Sequence, residues 1–322
     1  MKKLICVMLT VLTIVSLFAG CGAKANDGIY KIAIVQQLDH ASLNEIRDAI
    51  EAELDKIAAE KGLQIEYKDF NGQNDTTVLN QIGAQVVSDG YDAIIPIATT
   101  AAQCMVTAAE GKNIPIIYAA VSDPVEAGLT GFANVTGVSD ALNTPFILDM
   151  MLAINPNIQT VGLLYSNSEP NSATPIKEAK AYLESKNIAY IEKTGNTADE
   201  VSTAASALVG RCDAVFTPTD NAIMNVAANV AETLNQAGIP HYAGADSFVQ
   251  AGSFTTCGVN YTELGTYTAG MAMDILLGGA VPEFHIMDGG IITVNTDAAK
   301  ILNIDYSVLS SMANTVIEVT TG

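Results

Sequence analysis

The chain has 322 residues, 49% hydrophobic and 16% charged, and its 35 Asp and Glu against 15 Lys and Arg give a formal charge of −20. So acidic a chain repels phosphate, which argues against nucleic acid as a partner, and its apolar fraction is too high for a disordered protein. The length allows one large or two medium domains, and with Arg47 and Arg211 as the only arginines an anionic ligand must be held mainly by helix N-terminal amides and hydroxyls.

Residues 1–20 have the layout of a secretory signal: Lys2 and Lys3, an apolar run from Leu4 to Phe18, then Ala19 and Gly20 ahead of Cys21. The run is shorter than the about 20 residues of a spanning helix, and no later stretch is long and apolar enough to span either. Leu17-Phe18-Ala19-Gly20-Cys21 resembles the lipobox of bacterial lipoproteins, with Phe18 where that pattern usually has Leu or another aliphatic residue. The resemblance implies cleavage before Cys21, a lipid on that cysteine and a polar tether over 21–28; an uncleaved anchor and ordinary secretion are the alternatives. Loss of Lys2 and Lys3 takes the formal charge from −20 to −22. Cys104, Cys212 and Cys257 are then left, an odd number without close spacing, so they read as small buried hydrophobes and not as disulfides or metal ligands.

From Tyr30 onward short apolar runs alternate with amphipathic stretches. The pattern predicts a strand over Lys31–Val35, a helix over Ser42–Lys61, a strand over Leu63–Tyr67, a helix over Thr76–Ser88 and a strand over Ala93–Ile97. Strands alternating with helices make this an α/β protein with parallel sheets covered on both faces. An internal repeat divides it in two. Residues 92–101 align without a gap on 213–222, the stretch from Ile114 to Gly128 aligns on Ile239 to Gly252, and Ile34-Val35 with its polar continuation matches Leu163-Leu164-Tyr165 with its own. Two copies of one lobe facing each other would turn the polar residues at their strand ends into a shared cleft.

Those strand ends carry Gln36, Gln37, Asp39, His40 and Ser42; Thr99 and Thr100; Ser122 and Asp123; Glu169, Asn171 and Ser172; Thr219, Asp220 and Asn221; and Asp246 with Ser247. Thr99 and Thr100 open a helix, so their hydroxyls and amides either cap it or receive an anionic oxygen. Asp123 and Asp246 offer carboxylates to an ammonium group or serve turn chemistry, and Asp220-Asn221 has the same double reading. His40 is a cleft contact or a loop residue. Carboxylates for an amine and helix amides for a carboxylate describe a zwitterion site, which suits an α-amino acid. Tyr118, Tyr165, Tyr242, Phe248 and Tyr261 are candidates for an aromatic wall or for core packing. No nucleophile elbow, Walker A loop or dinucleotide fingerprint occurs and the three histidines form no cluster, so the expectation is a binding protein, not an enzyme, with neither cofactor nor metal.

The runs Gln73-Asn74-Asp75, Ile97 to Gln103, Ala119 to Gly128, Asn134 to Asp140 and Pro218-Thr219-Asp220-Asn221 resemble the ABC-transporter substrate-binding proteins of the tryptophan/tyrosine-binding type, over roughly Tyr30 to Ile304. The resemblance implies a type I periplasmic-binding fold with three hinge strands and delivery of ligand to a membrane permease driven by an ATPase, the protein acting as a monomer on the extracytoplasmic face. It makes Tyr, Phe or Trp the preferred ligand and Gln37, His40, Thr99, Thr100, Asp123, Glu169, Asn171, Asp220, Asn221 and Asp246 the candidate site. Crossovers are expected near Asp140–Asn143, Cys257–Asn260 and Asp288–Gly290. They divide the chain into a lobe of residues 29–141 plus about 259–288 and a lobe of 142–258 plus about 289–322. A sensory or adhesive surface lipoprotein, or an importer component for a branched-chain amino acid or other metabolite, is the alternative.

Overall fold

The computed structural model describes residues 28–321; the leader and Cys21 lie outside them. The first sheet contains β1 (Ile29–Gln36), β2 (Gln64–Asn71), β3 (Ala93–Ile97), β4 (Ile116–Ala119), β5 (Val135–Ser139) and, late in the chain, β11 (His285–Ile286). Its order is β2-β1-β3-β4-β5-β11, parallel throughout. The second contains β6 (Thr160–Tyr165), β7 (Ala189–Thr194), β8 (Ala214–Thr217), β9 (His241–Ala243), β10 (Thr255–Gly258), β12 (Ile291–Asn295) and β13 (Thr315–Val319), in the order β7-β6-β8-β9-β10-β12-β13. Only the β10–β12 pair is antiparallel.

The shared order of the first five strands in each sheet is the internal repeat in three dimensions. Its register is marked by one repeated device. Asp92, ahead of β3, accepts a hydrogen bond from the Lys31 amide at 2.9 Å, and its counterpart Asp213, ahead of β8, accepts from the amides of Gln159 and Thr160 at 2.8 and 2.9 Å. Central strands β3, β4 and β8 are buried along their whole length, as parallel strands covered on both faces must be.

The helices are α1 (Ala41–Lys61), α2 (Thr76–Asp89), α3 (Thr99–Ala108), α4 (Thr144–Ile154), α5 (Ala173–Ser185), α6 (Ala198–Ser206), α7 (Asn221–Met224), α8 (Ala227–Gln236), α9 (Asp246–Gln250), α10 (Tyr261–Leu276) and α11 (Thr296–Leu302). Buried Ile46, Ile50, Leu54 and Ile57 put one stripe of α1 on the sheet, and the helix stops at Gly62, whose φ of 64° admits the left-handed cap. Asp75 caps α2 by accepting from the Thr77 amide at 2.6 Å. These bounds lie within one residue of those expected. Strand β2 instead runs four residues past the expected Tyr67, because all eight of its residues pair with β1 although Lys68, Asp69 and Asn71 are polar.

The chain passes between the sheets three times, over 140–143, 259–260 and 287–290. After the second passage α10 packs on α1 of the first lobe. Gly265 lies at that contact, where a Cβ would come within 2.5 Å of the Ile46 carbonyl oxygen. One group of buried apolar residues lies within each lobe, and a third runs from Ile34 and Ile46 of the first to Val215 and Phe248 of the second. The lobes are therefore packed together. Among the described residues no helix is long and apolar enough to cross a membrane.

Candidate functional site

Parallel strands in both sheets end at the interface between the lobes, and there a cavity of about 30 Å³ remains. That is far below the roughly 300–1,000 Å³ of small-molecule sites, so the two rims leave little space between them. The first lobe supplies His40, Ser42, Leu43, Ala98, Thr99, Ala120, Ser122 and Tyr261 to its lining, the second Asn171, Thr219, Asp220, Asn221, Met224 and Phe248, and Asp140 lies at the first passage between them.

The β3 end shows how the backbone delivers one of these groups. Ala98 has φ 78° and ψ 160°, a conformation close to glycine-only, and it is held there by donating its amide to the Ala119 carbonyl at 3.0 Å. The strain lets α3 begin at the very next residue, so its first-turn amides, which have no partner within the helix, start where Ala98 and Thr99 line the cavity. Thr99 Oγ1 is buried without a hydrogen-bond partner. Ala120, at the end of β4, is likewise left-handed at φ 54°. Strain of this kind persists where the surroundings over-determine it, and both residues line the cavity.

Three carboxylates are buried around this space: Asp140, Glu169 and Asp220. Asp220 caps α7, accepting from the Ile223 amide at 3.0 Å with one oxygen and from the Ser166 amide and Ser172 hydroxyl, both at 2.7 Å, with the other. Asp140 accepts from Ser122 at 2.9 Å and from Tyr261 at 3.4 Å. Glu169 accepts from Gln37 of the other lobe at 3.0 Å and from Asn221 at 2.8 Å. Among the described residues none of the three has an ion-pair partner; the ion pairs present belong to Arg47, Lys56 and Lys180. Burial raises all three above the ordinary carboxylate range, and the neighbouring Asp220 helps push Glu169 up to about 8. Uncompensated buried carboxylates favour whatever cation can reach them.

His40 Nε2 meets Asn221 Oδ1 at 3.0 Å across the lobes, and desolvation lowers its pKa, so the imidazole is neutral at pH 7. Gln37 also bonds Asn74 at 3.0 Å. A polar chain thus runs Asn74, Gln37, Glu169, Asn221, His40, crossing between the lobes twice. Its loose ends are Gln37 Oε1 and His40 Nδ1, buried and without partners, as is Asn171 Oδ1 beside the cavity.

Of the residues expected from the sequence, His40, Thr99, Asn171, Asp220 and Asn221 line the cavity, and Gln37 and Glu169 form the layer behind them. Thr100, Asp123 and Asp246 do not line it. Asp123 closes its own turn, accepting from the amides of Val125 and Glu126 at 3.1 and 3.0 Å, and Asp246 accepts from Gln250 on α9 at 3.3 Å. Among the aromatics Phe248 and Tyr261 reach the cavity; Tyr118 and Tyr242 are core, and Tyr165 donates to Glu192 at 2.7 Å on the outer side. Asp140 is the carboxylate that sequence reasoning placed only at a crossover. The signal for it was present, since it directly follows the buried strand Val135–Ser139. Leu43 and Met224 had no such signal, being apolar positions of helices.

The chain matches the family model for ABC transporter substrate-binding proteins over residues 31–317. The protein belongs to this family. This substrate-binding protein is 32% identical, over 94% of its length and 92% of the relative's, to a tyrosine-binding protein of Clostridioides difficile. Its fold superposes with a TM-score of 0.82 on an ABC domain from Streptococcus pneumonia in complex with L-Trp, at 29% identity over 89% of this chain and 99% of that one. On the ligand-free, open structure of a substrate-binding protein with adhesive properties from Clostridium difficile the TM-score is 0.69, although identity is 32% and coverage 91% and 100%. Two similar α/β lobes joined at three passages are thus the type I periplasmic-binding architecture.

Proposed function

We propose that this substrate-binding protein is the ligand-capturing lipoprotein of an ABC importer, lipid-anchored through Cys21 on the extracytoplasmic face of the membrane, and that its ligand is an aromatic α-amino acid taken up by closure of the two lobes. The observation that carries the ligand class is the set of buried carboxylates without a cation. An α-ammonium group reaching Asp140 and Asp220, with Asn171 Oδ1 as a further acceptor, supplies the missing charge. The ligand carboxylate has the Thr99 hydroxyl and the first amides of α3 as donors, so no arginine is required. Phe248, Tyr261, Leu43 and Met224 provide apolar and aromatic surface for the side chain.

The tyrosine- and L-Trp-binding relatives support an aromatic ligand. Closure is supported by the better superposition on the L-Trp complex than on the open structure, and by hydrogen bonds that pair the two rims directly. Ligand contacts made by both rims at once favour the closed form, and only that differential affinity can move the equilibrium. Thermal-shift and calorimetric titration with the twenty amino acids tests the reading: Tyr, Phe or Trp should stabilise the protein, and a response to non-aromatic amino acids alone, or to none of the twenty, would overturn it. Cys21→Ser should move the protein out of the membrane fraction; retention there would favour an uncleaved anchor.

A further inference from the structure

Most hydrogen bonds between the lobes belong to cavity-lining residues, so they compete with ligand or are rearranged by it. One does not. Thr174, in the first turn of α5 on the second lobe, donates its hydroxyl to Asp123 Oδ2 of the first lobe at 2.7 Å. Neither residue lines the cavity. The acceptor is held ready whether or not the lobes meet, because Asp123 Oδ1 is fixed by the amides of Val125 and Glu126 within its own turn. Lys177, one helical turn beyond Thr174, adds an attraction to the same carboxylate from across the interface. The donor side is prepared as well, since Thr174 is at the positive N-terminal end of the 13-residue helix α5. A preformed acceptor on one rim and a preformed donor on the other cost little ordering when they meet.

We infer that Asp123 and Thr174 are a closure latch: they contact no ligand, and they set the fraction of the protein that is closed before ligand arrives and how long it remains closed afterwards. The inference rests on the lobe closure proposed above and reassigns Asp123, which the sequence offers as an amine anchor. Apparent affinity scales with the population of the binding-competent form. Losing a hydrogen bond to a carboxylate should therefore weaken every ligand by a common factor of about tenfold. A residue that touched the ligand would discriminate among ligands instead.

The test compares the protein with Thr174→Val, which keeps the branched shape without the hydroxyl, and Thr174→Ser, which restores the donor. Interlobe distance is read by pulsed electron resonance with one spin label on each lobe, first without ligand. Thr174→Val should shift the ligand-free distribution toward longer distances, accelerate dissociation of each amino acid that binds by the same factor, and leave their rank order unchanged. Thr174→Ser should return both readouts toward the parent. An unchanged ligand-free distance distribution in Thr174→Val, or an affinity loss confined to some ligands, would overturn the latch. Failure of any amino acid to bind the parent would instead refute the proposed ligand class, while the ligand-free distances would still report on the latch.

Discussion

Asp140→Asn separates the electrostatic argument for the site from mere structural damage. The wild-type carboxylate is fully desolvated and its pKa is raised, so at neutral pH its charge is unfavourable in the ligand-free protein. Its two partners are hydroxyls, Ser122 at 2.9 Å and Tyr261 at 3.4 Å, and a hydroxyl can turn to accept from an amide NH2 as readily as it donates to a carboxylate. The isosteric amide therefore keeps the local bonding and removes only the charge. Ligand-free stability should stay level or rise. Binding should move the opposite way: exchanging a charge-assisted bond to an ammonium for a neutral one costs about 1–1.5 kcal/mol, raising Kd about 5- to 13-fold. Calorimetry gives the affinity and urea unfolding the stability. Unchanged affinity for an amino acid that binds the wild type would refute Asp140 as part of the amine site. Parallel loss of stability and affinity would refute the claim that its charge matters only to ligand.

Thr99→Val removes a buried hydroxyl that has no protein partner, so the ligand-free protein should be at least as stable while affinity for a carboxylate-bearing ligand falls by about 1 kcal/mol; equal affinity would place the ligand carboxylate elsewhere. Glu169 is raised from 4.5 to about 8, so near pH 7 the native protein holds a proton that the unfolded chain has released. Its contribution to ligand-free stability is complete below the unfolded value and is lost as pH rises through about 8, so the melting temperature should fall from pH 6 to pH 9. An ammonium entering beside Asp220 favours the ionised carboxyls, so binding should release protons and tighten as pH rises from 6 toward 8; calorimetry in buffers of differing ionisation heat would detect proton uptake instead if this sign is wrong. Gly265→Ala forces a Cβ against the α1 backbone at 2.5 Å and should destabilise the first lobe by about 1–3 kcal/mol, visible as a lower urea midpoint. An unchanged midpoint would mean that α10 can move away from α1 without cost.

Much of this was legible because it is local. Helices α1 and α2 announce themselves by apolar stripes, by the Asp75 cap and by Gly62 and Gly90 past their ends, and central strands by unbroken apolar runs. Where pairing overrules composition, as in the polar half of β2, periodicity reads the strand too short. The repeat was legible for a related reason: each copy must satisfy the same sheet, down to the Asp92 and Asp213 carboxylates that tie one strand start to the next.

The sequence by itself determined the alternation of strands and helices, the duplication of the lobe, and the rule that polar residues at strand ends collect around one cleft. Tertiary structure alone decided which of them face it. A carboxylate goes to the nearest donors it can satisfy, and those donors come from elsewhere in the chain: Asp123 is claimed by its own turn and by Thr174, 51 residues away, while Asp140 is turned inward between Ser122 and Tyr261, the latter 121 residues away. The acidity apparent in the composition therefore acquires a direction only when the lobes meet and three carboxylates lose access to water together.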